Sequence, residues 1–289
     1  MKDQLFTGLC TALVTPFLDD QVNYPMMEQL LRRQMDAGIE AVAICGTTGE
    51  APTLTDQEKL ELFSRAKHYT DGACKIIAGT GCNNTLHTLE LSSAAEKCGV
   101  DGLLVVTPYY NKSTPEGLTA HYLALSQAVD IPIILYNVPS RTGMDIPLSV
   151  YERLSSIHNI VGTKEASTDI TKITKILRGC GDDLHIWSGN DDMAVPAMAL
   201  GAKGVISVLS NVLPMETNAM CQAALDGDFG TASALQIQLQ PLIEMLFCEV
   251  NPIPVKEAMQ IIGFDCGNCR MPLSPMKDEN RKRLQMLLS

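Results

Sequence analysis

One recurrence constrains this chain more than anything else in it. Over its first 210 or so residues a short apolar or β-branched run, ending in Thr, Gly, Asn or Pro, is followed by a segment of helical spacing, eight times over. The runs occupy 9–16, 40–46, 75–81, 101–108, 131–138, 159–165, 184–189 and 203–208. They are nearly continuously apolar rather than alternating, as parallel strands covered on both faces must be. The segments between them carry helix signals. Thr55 with Glu58 reads as a capping box, and Thr114-Pro115-Glu116 as an N-cap, first-turn proline and first-turn acid. Gly38 and Gly99 stand where C-caps are wanted. No G-x-G-x-x-G follows a strand, so a dinucleotide-binding sheet loses its main support. The expected fold is α/β, a (β/α)8 TIM barrel.

After about residue 210 the strand runs stop, and 214–226, 228–248 and 252–263 read as helices, the second with Pro241 inside it as an expected kink. The expected organisation is a barrel catalytic domain over 1–225 and a C-terminal helical extension over 226–289.

Composition narrows the partners. A net charge of −11 argues against nucleic acid or an anionic membrane, both of which are bound mainly through Lys and Arg. The start, MKDQLFTGLC, carries Asp3 and no long apolar run, and is not read as a signal peptide. No stretch has the ~18 uncharged apolar residues of a membrane span, and a cytoplasmic enzyme is expected. The ten cysteines are mostly scattered singly and read as reduced core residues. Cys266-Gly-Asn-Cys269 is the exception. It lacks the further ligands a zinc site needs and is open between a loop feature and a redox or metal site. The five histidines do not cluster, and Asn190-Asp191-Asp192 reads as the acidic start of a helix, so no metal is assigned.

In such a barrel the active site lies at the C-terminal ends of the strands. Lys164 closes the apolar run 160–163, which puts its stem in the barrel mouth. Desolvation disfavours an ammonium, and a free amine attacks a ketone to give an imine, an electron sink for the neighbouring carbon. The alternative is a structural lysine paired with Glu165 or another acid at the strand end. Tyr136 is either a rim residue or a proton relay. Arg141, in Pro-Ser-Arg-Thr-Gly, is either a solvated charge or a carboxylate clamp. Thr47-Thr48, between Gly46 and Gly49, is either a plain turn or a source of hydroxyls and backbone N–H groups for a carboxylate.

Five stretches together resemble one family across essentially the whole chain: Gly46-Thr47-Thr48-Gly49-Glu50, Tyr109-Tyr110-Asn111, residues 136–143 (YNVPSRTG), Lys164-Glu165-Ala166 and residues 251–256 (NPIPVK). They are similar to the dihydrodipicolinate synthases (4-hydroxy-tetrahydrodipicolinate synthases), class I aldolase barrels of the N-acetylneuraminate lyase superfamily. The resemblance implies a lyase that joins pyruvate to L-aspartate 4-semialdehyde for lysine and diaminopimelate synthesis. It implies no added cofactor, only a covalent pyruvate imine on Lys164. Tyr136 would relay protons between Thr47 and Tyr110, with Tyr110 supplied by a neighbouring subunit. Thr48 would hold the pyruvate carboxylate, Arg141 the carboxylate of the semialdehyde, and Gly189 and Ile206 would line the pyruvate pocket. A homotetramer built as two tight dimers is implied. The runner-up is an aldolase or lyase on another 2-keto acid such as N-acetylneuraminate, whose enzymes generally lack an arginine at the position of Arg141.

One departure stands out. Family members inhibited by lysine carry histidines and a glutamate in a pocket at the dimer contact. Here the corresponding positions hold Ala51, Pro52, Asp56, Lys59 and His87, while Asn83 and Tyr109 remain. His87 in place of a glutamate removes a charge that would hold an ammonium, so weak or absent lysine feedback is expected.

Overall fold

The computed structural model describes residue 2 and residues 4–289. Asp3, part of the argument against a signal peptide, lies outside the described residues. All eight expected runs are strands: β1 (Gly8–Ala12), β4 (Ala41–Ile44), β5 (Lys75–Gly79), β6 (Gly102–Val106), β7 (Ile133–Asn137), β8 (Ile160–Glu165), β9 (His185–Ser188) and β10 (Gly204–Ser207). They pair in parallel and close into a barrel in which β1 joins both β4 and β10. The two strands missed by the sequence reading, β2 (Phe17–Leu18) and β3 (Gln21–Val22), form a small hairpin turning on Asp19 and Asp20. Both turn residues have positive φ, at 50° and 63°, as a two-residue hairpin turn with the right twist demands.

Helices α1 (Tyr24–Asp36), α2 (Asp56–Thr70), α3 (Thr85–Lys97) and α4 (Pro115–Ala128) alternate with the first strands. Next come a short α5 (Pro139–Thr142), α6 (Leu148–Ser155), α7 (Ile170–Cys180), α8 (Ala194–Ala199) and α9 (Pro214–Leu225). The expected caps form. The Thr55 hydroxyl accepts from Glu58 N at 3.2 Å while the Glu58 carboxylate accepts from Thr55 N at 2.8 Å. Thr114 accepts from Gly117 N at 3.2 Å. α9 directly follows β10, so it completes the barrel's helical ring. The extension proper is α10 (Phe229–Leu246, with Pro241 inside it), α11 (Ile253–Ile261) and α12 (Asp278–Leu288). α12 went unseen in the sequence because its outer face is charged and Leu284 is its one fully buried residue.

Two apolar cores result. One fills the space between strands and helices. The other fills the barrel itself, where Phe6 stacks on Trp187 with ring centroids 4.7 Å apart. β8 carries an irregularity that matters for the site. Ile133 pairs with Ile160 but Ile134 pairs with Gly162, so Val161 is an extra residue. A bulge re-aims everything after it. Beyond it, Thr163 and Glu165 face outward to the Tyr151 hydroxyl, at 3.4 and 3.0 Å, and Lys164 faces into the barrel. Gly162 is required there, since a Cβ would lie 2.5 Å from both His185 O and the Trp187 ring.

Candidate active site

The alternation settles which neighbour Lys164 can have. Glu165 points the other way, accepting from Asn137 Nδ2 at 2.9 Å, Tyr151 Oη at 3.0 Å and Ser167 N at 2.8 Å. The Lys164–Glu165 pairing weighed from sequence is therefore absent. Lys164 is 5% exposed. Its Nζ lies 4.5 Å from the centroid of the Tyr136 ring, which is its register partner on β7. Among the described residues, Nζ has no ion-pair or hydrogen-bond partner. A buried lysine without a counter-ion is costly as a structural device, which is the position of a functional amine. Gly189 follows β9 and packs on the same side chain: a Cβ there would stand 3.1 Å from Lys164 Cε and 2.5 Å from Ala166 Cβ. Ile206, wholly buried on β10, belongs to the same barrel interior.

Above Lys164 the barrel opens into a cavity of about 840 Å³. Thr47, Tyr109, Tyr136, Arg141 and Asn251 line it. Lys164, Thr48, Gly189 and Ile206 do not, although Tyr136, against whose ring Lys164 Nζ stands, does. Thr48 is buried and accepts from Asn251 Nδ2 at 3.0 Å, which leaves its own hydroxyl proton free to donate. Arg141 Nη2 donates to Asn251 O at 3.2 Å. Asn251 thus ties two expected site residues together from the C-terminal extension, a link that no sequence argument singled out. Lys256, five residues on in α11, ion-pairs at 2.9 Å with Glu50 of the Gly-Thr-Thr-Gly-Glu turn, both side chains being almost wholly buried. Glu50 holds φ at 56° and also accepts from Arg270 N at 2.8 Å.

Tyr110 does not join this group. It is 92% exposed with φ at 68°, projecting away from its own chain's cavity. The positions of the lysine pocket do join it, both the changed ones (Ala51, Pro52, Asp56, Lys59 and His87) and the two that remain (Asn83 and Tyr109), all of which line the same cavity.

Asp191 starts a helical turn, as read in sequence, and has a second role besides. It opens the 3-10 turn Asp191–Met193, but its carboxylate reaches across to accept from Val208 N at 2.9 Å and Leu209 N at 3.0 Å. Burial pushes this carboxyl up; those hydrogen bonds and the charge of Lys164 oppose the rise. All ten cysteines are free thiols. Of the eight scattered ones, Cys10, Cys45, Cys74, Cys180 and Cys221 are core residues as expected, but Cys248 is exposed and Cys82 and Cys98 are half-buried; of the Cys266/Cys269 pair, the first is buried and the second half-buried. Among the described residues no helix is long and apolar enough to cross a membrane.

The dihydrodipicolinate synthetase family profile matches residues 5–289. A 4-hydroxy-tetrahydrodipicolinate synthase of Clostridium perfringens is 45% identical over 276 residues, covering 96% of this chain and 95% of the relative. One from Thermoanaerobacter pseudethanolicus is 46% identical over 286 residues, covering 99% and 96%. The crystal structure of dihydrodipicolinate synthase from Aquifex aeolicus superposes with a TM-score of 0.96 at 43% identity, covering 98% of this chain and 97% of that one. With its closed eight-stranded barrel, buried lysine and whole-length similarity, this chain belongs to the dihydrodipicolinate synthetase family of enzymes.

Proposed function

We propose that this chain condenses pyruvate with L-aspartate 4-semialdehyde to 4-hydroxy-tetrahydrodipicolinate, through an imine on Lys164 and without an added cofactor. The observation that carries the reading is the Lys164 amine, buried in the barrel interior with no direct ion pair among the described residues and against the Tyr136 ring. Nζ attacks the pyruvate keto carbon, the keto oxygen leaves as water, and an iminium remains. That cation acidifies the pyruvate methyl group. Loss of a methyl proton gives an enamine, whose carbon adds to the aldehyde while the new alkoxide takes up a proton. The semialdehyde's own amine then displaces Nζ, closing the ring and freeing Lys164.

Each proton needs a carrier. Tyr136, whose ring lies against Nζ and lines the cavity, would supply the first hydroxyl, and Thr47, on the same cavity wall, the next. The third, Tyr110, comes from a second copy of the chain. Its exposure supports that role, because a tyrosine directed away from its own site is available to a neighbour's. Thr48 donates to the pyruvate carboxylate, its oxygen being held by Asn251. Gly189 leaves the space for pyruvate beside the Lys164 stem, and Ile206 walls the same pocket. Arg141 takes the carboxylate of the second substrate at the mouth, a charge-assisted pairing that fits a guanidinium. We further read the assembly as a tetramer made of two tight dimers working in the cytoplasm, and the chain as a 1–225 catalytic barrel with a 226–289 extension. The gap between α9, ending at Leu225, and α10, beginning at Phe229, supports that division.

Trapping with borohydride in the presence of pyruvate tests the imine, with the adduct mapped by mass. An unmodified Lys164 sinks the whole reading. If Lys164 is trapped, turnover of aspartate semialdehyde is compared with cleavage of N-acetylneuraminate, and preference for the latter moves the chain to the lyase branch. A stable monomer with full activity would remove Tyr110 from the relay.

A further inference from the structure

We propose that Cys82, His87 and Asp56 form an activated-thiol site, where small soft electrophiles bond covalently to the Cys82 sulfur. Cys82 follows β5, and His87 stands in the first turn of α3. Cys82 Sγ lies 3.5 Å from His87 Nδ1, and His87 Nε2 lies 2.7 Å from Asp56 Oδ2. This is a nucleophile, a base and a group that orients the base, in line. A carboxylate only accepts, so Nε2 carries the proton of the neutral ring and Nδ1 presents its lone pair to the sulfur. Burial pushes the Asp56 carboxyl up, but the hydrogen bond and charge of His87, with Lys59, outweigh it and hold the group below its ordinary range. Lys59 Nζ approaches the other carboxylate oxygen, at 3.5 Å, and leaves the His87 contact intact.

The surroundings of the sulfur suit an anion. Asn84 N, at the N-terminus of α3, donates to Sγ at 3.4 Å, and Thr88 Oγ1 lies 3.4 Å away. The sulfur also lies 3.2 Å from Asn84 O, which accepts the S–H when the proton stays on sulfur. The three residues cannot share a metal ion, since Cys82 and Asp56 lie against opposite ring nitrogens. All three line the 840 Å³ cavity, so a small molecule in it meets the sulfur directly. The other thiols lack this arrangement. Burial pushes Cys74 and Cys266 up to about 12, and Cys248, though exposed, is raised by partial burial and by Glu249.

The step balances with an alkylating agent as the electrophile. His87 Nδ1 takes the thiol proton, the sulfur forms a bond to carbon, and the carbon–halogen bond breaks with its electron pair leaving on the halide. His87 then returns the proton to solvent.

The test is a short pulse of iodoacetamide at neutral pH on the native, assembled protein, followed by mass mapping of all the cysteines. Cys82 is expected to be alkylated at least ~10-fold faster than Cys248, which serves as the exposed reference within the same sample. In His87→Leu the Cys82 rate is expected to fall by ~10-fold or more while the Cys248 rate stays unchanged. Asp56→Asn gives a smaller loss. Unmodified Cys74 and Cys266 report that each variant is folded. The proposal is overturned if wild-type Cys82 reacts no faster than Cys248, if it reacts only after denaturation, or if His87→Leu leaves its rate unchanged.

Discussion

Lys256→Met tests whether the C-terminal extension holds the catalytic turn in place. Lys256 and Glu50 are both 2% exposed, and Nζ lies 2.9 Å from Oε1. Nζ also donates to Asn268 O at 3.0 Å and stands 4.3 Å from the centroid of the Phe17 ring. Methionine keeps the stem's volume and packing, so the loss is electrostatic: Glu50 is left buried with Arg270 N and the Cys269 thiol as donors and no counter-charge. Removing one partner of a buried pair costs about 3–5 kcal/mol, because the other charge stays desolvated. For a chain of this size that lowers the Tm by roughly 5–8 °C. Neutralising the orphan should return much of the loss, so Glu50→Gln/Lys256→Met is expected to be more stable than Lys256→Met alone by about 2 kcal/mol. Denaturant midpoints of the wild type, both single variants and the double variant give the coupling. In the same samples the KM for pyruvate should rise, because Glu50 ends the turn that carries Thr47 and Thr48. A Lys256→Met cost below about 1 kcal/mol, or a double variant no better than the single, would refute the reasoning, since either means the pair is solvated.

Three more expectations follow from particular contacts. Gly189→Ala places a methyl group against Ala166 and 3.1 Å from Lys164 Cε; kcat/KM should fall ~100-fold with the circular dichroism spectrum unchanged, and wild-type trapping rates with borohydride would contradict it. Burial pushes His121 down from 6.5 to about 4, so its stabilising contribution is full above pH 6.5 and is lost as the pH falls through about 4. That is about 3 kcal/mol across this window, and urea midpoints should show a flatter acid limb for His121→Gln. Lysine inhibition should be weak or absent, because the Asp56 carboxylate is already bonded to His87 at 2.7 Å, and a dose–response curve bending below ~1 mM would rule this out.

Much of the architecture was legible because it is local. Eight apolar runs between capped helices specify strands and crossovers, and right-handed crossovers of that length close a parallel sheet in few ways. The β2–β3 hairpin and α12 escaped notice for a related reason. The hairpin strands are too short for a period to register, and α12 offers too narrow an apolar stripe.

The site divides along the same line. Sequence by itself determined which residues stand at the strand ends, and so named Lys164, Tyr136, Thr47, Thr48 and Arg141. Tertiary structure decided what each one meets. The extra residue at Val161 turns Lys164 inward and Glu165 outward, and side-chain parity after a bulge depends on pairing with β7, which no local pattern records. Asn251 reaches Thr48 across 203 positions of chain, and Lys256 reaches Glu50 across 206. Cys82, His87 and Asp56 come from two successive βα units, Asp56 from the start of α2 and the other two from the end of β5 and the start of α3, and looked unrelated in one dimension. Propensity and periodicity act over a few residues, whereas a buried charge or a hydrogen-bonded thiol is made by whichever distant groups the closed barrel brings within about 3 Å.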